Sequence, residues 1–501
     1  MRPLLSLLVG LTCVLSGLAA APSADTQTRA DTLIAGADLQ ADLDLLARAY
    51  ETLHPGLYRY QTPSEWGARV AALRAAVAPR MGQRAFYVHV ARLLAAIEYG
   101  HSYPNFFNQR PAVQARVIEA THRLPFHFRW LGDRIIVTRD LSGGGLRPGT
   151  RILAIDGTPA ADILATLLPL ARADGGNDAK RRDILSVTGT ESYEAFDVYY
   201  PLTYALADTV TLDVEGPEGD RRTLRRATQS FAERESVRAT DRGTVAPDAA
   251  RWSTRRLADG TAVLAMPTWA LYNTTWDWRA YLDSTFARLR ADRVPRLVLD
   301  LRGNEGGDDA VAEWLLRHLV SRTSTVPGFE TYVRYRILPV DLKPYADTWD
   351  RSFDDWSPTA DTASRDGLYR LRRGGENGAA NLEPTEPRFT GRVAVLIGSA
   401  NSSSTFAFAD AFQRLRLGLL VGQPTGGNKR GINGGAFYFF RLPRSGVEVD
   451  VPLVGYYAPR RRAGGIPDGG LTPDLNVALT TGDLTGATDQ TLAAAVAALR
   501  R

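Results

Sequence analysis

Arg296-Leu297-Val298-Leu299-Asp300-Leu301-Arg302-Gly303-Asn304-Glu305-Gly306-Gly307-Asp308-Asp309 is an apolar run that ends in an aspartate, turns on glycines and meets a helical pattern through Val311 to Leu319. A strand that passes directly into a helix is half of a parallel crossover. The same order recurs at Val393 to Gly398, where the apolar run meets Ser399-Ala400-Asn401-Ser402-Ser403-Ser404 and then a helix through Thr405 to Leu415. Outward from this pair, Ala262 to Met266 and Leu419 to Gly422 add strands, and Trp276 to Leu289 adds a helix. Arg255 to about Val477 therefore reads as an α/β core. Between the two crossovers, Tyr335 to Arg388 is long and turn-rich, which suits a segment covering a site better than a spacer.

Upstream, Asp38 to Ala95 carries apolar residues at helical spacing, with breaks at His54-Pro55-Gly56 and Ala78-Pro79, because proline cannot continue a helix. From Leu124 the pattern changes to short strands, Arg134 to Thr138 and Arg151 to Ile155, with turns at Arg147-Pro148-Gly149 and Asp156-Gly157. A helix over Ala161 to Leu168 and a strand over Thr209 to Val214 follow. The charged tract Gly216 to Arg251 then reads as a boundary. The expected division is a signal peptide over 1–20, a helical region over 36–115, a middle domain over 120–235, an α/β core over 252–485 and a C-terminal helix over 486–501.

The 501 residues exceed what one core supports, and 44% hydrophobic with 23% charged residues is the balance of an ordinary globular chain. The net charge of +5 comes from scattered arginines rather than one stripe, which argues against nucleic acid as a partner; Arg460-Arg461-Arg462 reads as a solvated loop. Met1-Arg2-Pro3, the apolar stretch Leu4 to Leu18 and Ala19-Ala20-Ala21 match a secretory signal cut after Ala19 or Ala20, so the protein is expected in the periplasm or medium without stable membrane insertion. Cys13, the sole cysteine, falls within that stretch in a poor lipoprotein context, so the mature chain has no disulfide and no cysteine metal site.

Two turns can carry chemistry. In Asp300 to Gly307, glycines expose amides that can hold an oxyanion, although a helix-capping turn leading into Asp308 and Asp309 has the same composition. In Gly398 to Ala409, a serine at a helix start meets free amides and the positive end of the helix dipole, although serine and asparagine are also ordinary N-caps.

Together these turns resemble the tail-specific (C-terminal processing) serine peptidases, whose pattern is Asp-Leu-Arg-x-Asn-x-Gly-Gly, then Ser-Ala-x-Glu at a helix start, then Gly-x-x-Thr-x-Gly. Matching Phe406-Ala407-Phe408-Ala409 to the helix and Gly422-Gln423-Pro424-Thr425-Gly426-Gly427 to the last turn makes Ser403 the nucleophile, with Phe406 in place of the family glutamate. The resemblance implies a crotonase/ClpP-like core, an N-terminal helical cap and a PDZ-like middle segment around Leu146 to Ile163. One branch activates serine with a lysine in Thr-x-Gly-Lys-Gly; here Asn428 takes that position and Lys429 comes one residue late. The branch similar to the tricorn core protease, which includes retinoid-binding relatives, uses a histidine in Asp-Gly-His-Thr, matched by Tyr99-Gly100-His101-Ser102 with Tyr99 for the aspartate.

A neutral imidazole is a ready base near pH 7, whereas lysine needs strong desolvation, so His101 is the preferred base and the Ser403–Lys429 dyad the alternative. The family places an acid near Asp468, the expected third member. The mechanism implied is attack of Ser403 on a peptide or protein substrate, with the oxyanion held by Gly306 or Gly307 and Ser404; neither metal nor cofactor is implied. The rival from another class is a non-catalytic lipid- or peptide-binding protein on the same fold.

Overall fold

The computed structural model describes residues 31–242, 252–272, 274–326, 328–364, 366–372, 380–458 and 465–501. The expected signal peptide with Cys13 and the arginine run 460–462 lie outside the described residues.

Alternation within the decisive strand sets the layers of the core. In Arg296–Asp300, Leu297 and Leu299 pack on one face with Phe286, Leu315 and Phe408, while Val298 packs on the other with Leu492 and Val496. Both faces are therefore covered by helices: Trp278–Ala291, Asp309–Arg317 and Ser403–Arg414 on the first, Gln490–Arg500 on the second. Each such buried side chain contributes about 1.5–3 kcal/mol. The sheet order is Leu475–Asn476, Leu419–Gly422, Arg392–Ile397, Arg296–Asp300, Ala262–Ala265, Ser253–Arg256, parallel except for the last pair. Asp277, Asp308 and Asp489 cap their helices by accepting from Ala280, Ala310 and Leu492 amides. Ser402, at the start of the Ser403 helix, makes no side-chain cap bond and leaves that end open.

The core also carries an antiparallel insertion that strict strand and helix alternation did not foresee. Asn433–Arg441 and Glu448–Tyr457 form a long hairpin in a sheet ordered Ala346–Asp347, Asn433–Arg441, Glu448–Tyr457, Glu330–Val333, Tyr369–Arg370. Short strands of the turn-rich 335–388 stretch thus belong to a sheet. Of the N-terminal helices Gly36–Leu53, Pro63–Ala76 and Gln83–Ala95, the first and third bond to the hairpin: the buried Asp42 carboxylate accepts from Arg444 and Ser445 amides at 3.0 and 2.6 Å, and Gln83 Nε2 donates to Ser445 O at 2.6 Å.

The middle segment is an antiparallel sheet, Phe126–Leu131, Arg134–Asp140, Arg151–Ile155, Thr209–Glu215, Arg221–Ala227, with helices Ala160–Leu167 and Ala195–Tyr204. Part of the tract expected as a boundary is structured. Arg221–Ala227 pairs along the whole of Thr209–Glu215, and the helix Phe231–Arg242 follows. Its arginines mark a charged edge strand, a composition that resembles a linker. Among the described residues, no helix is long and apolar enough to cross a membrane.

Candidate active site

Neighbouring parallel strands end together, so Arg296–Asp300 and Arg392–Ile397 deliver both candidate turns to one edge of the sheet. Two buried asparagines lock the turns together. Asn304 Nδ2 donates to Met266 O at 2.7 Å while its Oδ1 accepts from the Gly306 amide at 2.9 Å. Asn401 Nδ2 donates to Leu301 O at 2.6 Å and Asn304 O at 3.0 Å, and its carbonyl accepts from the Gly426 and Gly427 amides at 2.8 and 2.9 Å. Leaving one of these buried groups unpaired would cost about 1–3 kcal/mol.

Ser403 begins its helix at φ 51°, a left-handed conformation costing roughly 1–3 kcal/mol for a residue with a side chain. The adjacent serines are differently disposed. Ser402 Oγ donates to Glu305 O at 3.1 Å, and Ser404 is buried at 1% exposure with its hydroxyl enclosed. Ser403 alone is both partly exposed and set at the elbow. A Cβ added to Gly306 would fall 2.9 Å from Ser403 Cβ and 3.0 Å from the Ser404 amide, so the first turn must be glycine where it passes the serine. The Gly306 amide is held by Asn304, whereas the Gly307 and Ser404 amides have no acceptor among the described residues. Gly307 itself, at φ 143°, lies so close to Trp269 that an added Cβ would be 2.1 Å from its carbonyl.

His101 follows the helix Gln83–Ala95 on a loop gripped from both sides. Gly100 N donates to Asp174 Oδ1 at 3.0 Å, Gly100 O accepts from Arg172 Nη1 at 2.6 Å, and Ser102 Oγ meets His54 Nε2 at 2.9 Å. The hairpin forms one wall of its site: the imidazole is 5.7 Å from the Phe437 ring, and a Cβ on Gly434 would be 3.9 Å from its Nδ1 and Cε1. Burial lowers the His101 pKa from its usual value; Asp174 and Glu305 pull it upward, and Arg172 and Lys180 push it down. The imidazole is thus favoured as the neutral base.

Glu305 lies between His101 and the two turns in its electrostatic contacts. Its side chain is 49% exposed, although protein surrounds it, as on the floor of a cleft. Burial opposes its charge, but Lys180 and Arg172 outweigh that and hold the carboxyl at about 2. His101 contributes to that lowering, which puts imidazole and carboxylate within electrostatic reach of one another.

The structure brings Ser403 and Ser404 of the serine turn against Gly306 of the glycine turn, next to Gly307, and Glu305 of that same glycine turn lies within electrostatic reach of His101. Asp468 is engaged elsewhere: its carboxylate accepts from Asn428 Nδ2 at 2.6 Å and the Gly176 amide at 3.3 Å. Lys429 donates its backbone amide to Gly469 O at 3.0 Å and is not among the charges that bear most on His101. Phe406, standing where the family has glutamate, is buried at 2% exposure, and its ring occupies the space a Cβ on Gly427 would need. Tyr99, in place of the aspartate, is buried with Arg59 over its ring at 5.2 Å. Sequence reasoning missed Glu305 and the Arg172–Lys180 stretch. The available signal was Lys180 itself, a lysine in a chain that otherwise uses arginine almost throughout.

Comparison with known proteins follows the same lines. Residues 260–477 match the model of peptidase family S41. No curated protein matches the chain in sequence. Among solved structures, mature CPAF complexed with lactacystin is 15% identical, with 93% of this chain and 98% of that chain covered at a TM-score of 0.63. Mature CPAF alone is 15% identical, with 90% and 94% covered at 0.56. A putative peptidase from Parabacteroides merdae is 13% identical, with 92% and 97% covered at 0.45. At such identity the CPAF likeness shows a shared fold over nearly the whole chain. Through residues 260–477, the chain carries a domain of peptidase family S41 and is a serine-type peptidase.

Proposed function

We propose that the protein is an exported endopeptidase in which Ser403 attacks the peptide carbonyl and His101 is the general base. The observation that carries this reading is the Ser403 elbow: a left-handed serine at an uncapped helix start, packed against Gly306, with the Ser404 amide uncommitted. An uncapped helix start facing a cleft favours developing negative charge. His101 takes the Ser403 proton as the tetrahedral intermediate forms, and the Gly307 and Ser404 amides hold the oxyanion. His101 then gives the proton to the leaving amine, leaving an acyl-enzyme on Ser403 that His101-activated water hydrolyses.

Because the Gly306 amide already serves Asn304, Gly307 is the better partner for Ser404. Asp174 and Glu305, rather than Asp468, are the acids suited to stabilise the imidazolium, since they face His101. The parallel sheet with helices on both faces supports a crotonase/ClpP-like core over 252–485, followed by the C-terminal helix over 486–501. The antiparallel sheet supports a PDZ-like middle segment over 120–235, and the helices before it a cap over 36–115. Export to the periplasm or medium rests on the leader 1–20.

Turnover of denatured casein by substituted proteins tests the assignment. Ser403→Ala and His101→Ala should each lower kcat by about 10⁴–10⁶, since members of one catalytic unit fail together, while Lys429→Ala keeps most activity. Activity in His101→Ala with loss in Lys429→Ala would instead establish the serine–lysine dyad. Folded wild-type protein without turnover or active-site acylation would favour the non-catalytic binder.

A further inference from the structure

Ser403 and His101 come from distant parts of the chain, and one short stretch of the middle segment touches the surroundings of both. Arg172 and Asp174 hold the two backbone groups of Gly100, directly before the base, at 2.6 and 3.0 Å. Gly175 N donates to Glu98 O at 2.9 Å on the same loop. A few residues on, Asn177 Nδ2 donates to Thr425 O at 2.9 Å and Gly427 O at 3.3 Å, on the turn that the Asn401 carbonyl also grips. Lys180, whose side chain is 4% exposed, ends the stretch: its Nζ donates to Glu305 Oε1 at 2.7 Å and to Ala400 O at 3.1 Å. That single ammonium therefore bonds to the glycine-rich turn and to the serine turn together.

We propose that Arg172–Lys180 is a strap that assembles the catalytic pair, with the Lys180–Glu305 ion pair as its key positioning element. The proposal rests on the Ser403–His101 reading and extends it to residues that touch neither substrate nor the reacting hydroxyl. A nearly buried ammonium is costly unless fully bonded, so Lys180 holds Glu305 and Ala400 in one geometry instead of sampling several. The charged groups facing His101 are Asp174, Arg172, Glu305 and Lys180: the strap supplies three and fixes the fourth. The middle segment thereby becomes part of the active site, and a partner or ligand that moves it would change the activity of Ser403.

The sign of each charge provides a test that a merely structural role would not pass. Lys180 disfavours the imidazolium and Glu305 favours it. The readout is the rate at which a fluorophosphonate phosphonylates Ser403 with loss of fluoride, followed from pH 4 to 9 in the full chain. Lys180→Met should shift the acid midpoint upward and Glu305→Gln downward, each by about half a pH unit given the solvent in the cleft. Lys180→Met/Glu305→Gln should return it toward wild type. Lys180→Met should also lower the plateau rate by about 10–100-fold through misplacement of the turns. Midpoints unchanged in both single variants, or shifted in the same direction, overturn the proposal. If Lys180→Met does not fold, Glu305→Gln decides alone: a lower midpoint supports the strap and an unchanged one refutes it. His101→Ala separates the two levels. If it abolishes phosphonylation while the other midpoints stay put, only the strap is wrong; if it is phosphonylated like wild type, the base assignment fails and the strap with it.

Discussion

Three consecutive serines stand at the helix start, and their chemistry is distinguished by features a sequence only hints at. Matching the helix and the downstream glycine turn points to Ser403, and its left-handed backbone, partial exposure and neighbouring amides support that proposal. Ser404→Ala should keep kcat within about tenfold of wild type, because the enclosed Ser404 hydroxyl has no partner among the described residues and the proposed mechanism uses only its amide. A loss approaching that of Ser403→Ala in the same casein assay would move the nucleophile by one residue. Asp468→Asn should likewise keep kcat within about tenfold while lowering Tm, because the carboxylate ties Asn428 and Gly176 rather than the imidazole. A drop of about 10⁴ would restore Asp468 as the orienting acid. Glu305 was illegible because the pattern the turn resembles leaves its position open, and its contacts follow only from Lys180 folding back over it. A side-chain substitution cannot probe the Gly307 amide, since any Cβ there collides with Trp269 before the amide is affected.

At the level of elements, apolar runs bounded by glycine turns identified the parallel strands and their helices, because burial on both faces leaves a continuous hydrophobic signature. The hairpin escaped because Phe437-Tyr438-Phe439-Phe440 is aromatic on both faces: Tyr438 and Phe440 are buried, and Phe437 and Phe439 pack with Trp349 at 6.0 and 5.8 Å. Period-two alternation is then invisible. Phe406 shows how the serine helix is seated. Restoring the family glutamate with Phe406→Glu should destabilise the protein by about 3 kcal/mol or more, since a carboxylate would replace a ring buried against Gly427. Urea unfolding measures this, and an unchanged midpoint would mean that the helix can shift to expose the site. Asp42→Ala should cost about 2–4 kcal/mol by freeing the Arg444 and Ser445 amides, and it should weaken casein turnover because the hairpin walls His101. Stability lost with kcat unaltered would separate the hairpin from the site.

Across the whole molecule, the N-terminal helices, the middle segment and the hairpin share one hydrophobic core, so His101 is packed by two bodies that lie outside the matched residues 260–477 and by a hairpin within them. This explains why composition and periodicity could outline the parts but not their convergence: the bonds that bring the parts together link residues far apart in sequence. Acid should loosen this assembly through His54, which bonds to Ser102 beside the base. Burial drives its pKa from 6.5 to about 3, so the unfolded chain binds the proton more readily. Its contribution is full above pH 6.5 and disappears as pH falls toward 3, with a slope of up to about 1.4 kcal/mol per pH unit. Asp450 works in the opposite sense. Burial raises its carboxyl to about 6, so its contribution is full below the ordinary 3.8 and is lost as pH rises through 6. Denaturant unfolding from pH 4 to 7 should therefore show a flatter acid decline in His54→Phe than in wild type, and parallel curves would remove His54 as the acid-sensitive group.

The central claim is that Ser403 is a nucleophile activated by His101, and its most direct measurement is site-mapped phosphonylation by a fluorophosphonate at pH 7.5. Wild type and Lys429→Ala should carry the adduct on the peptide containing Ser403, and His101→Ala should remain unlabelled while keeping the wild-type circular dichroism spectrum. An adduct on another serine, or full labelling of His101→Ala with loss in Lys429→Ala, would contradict it.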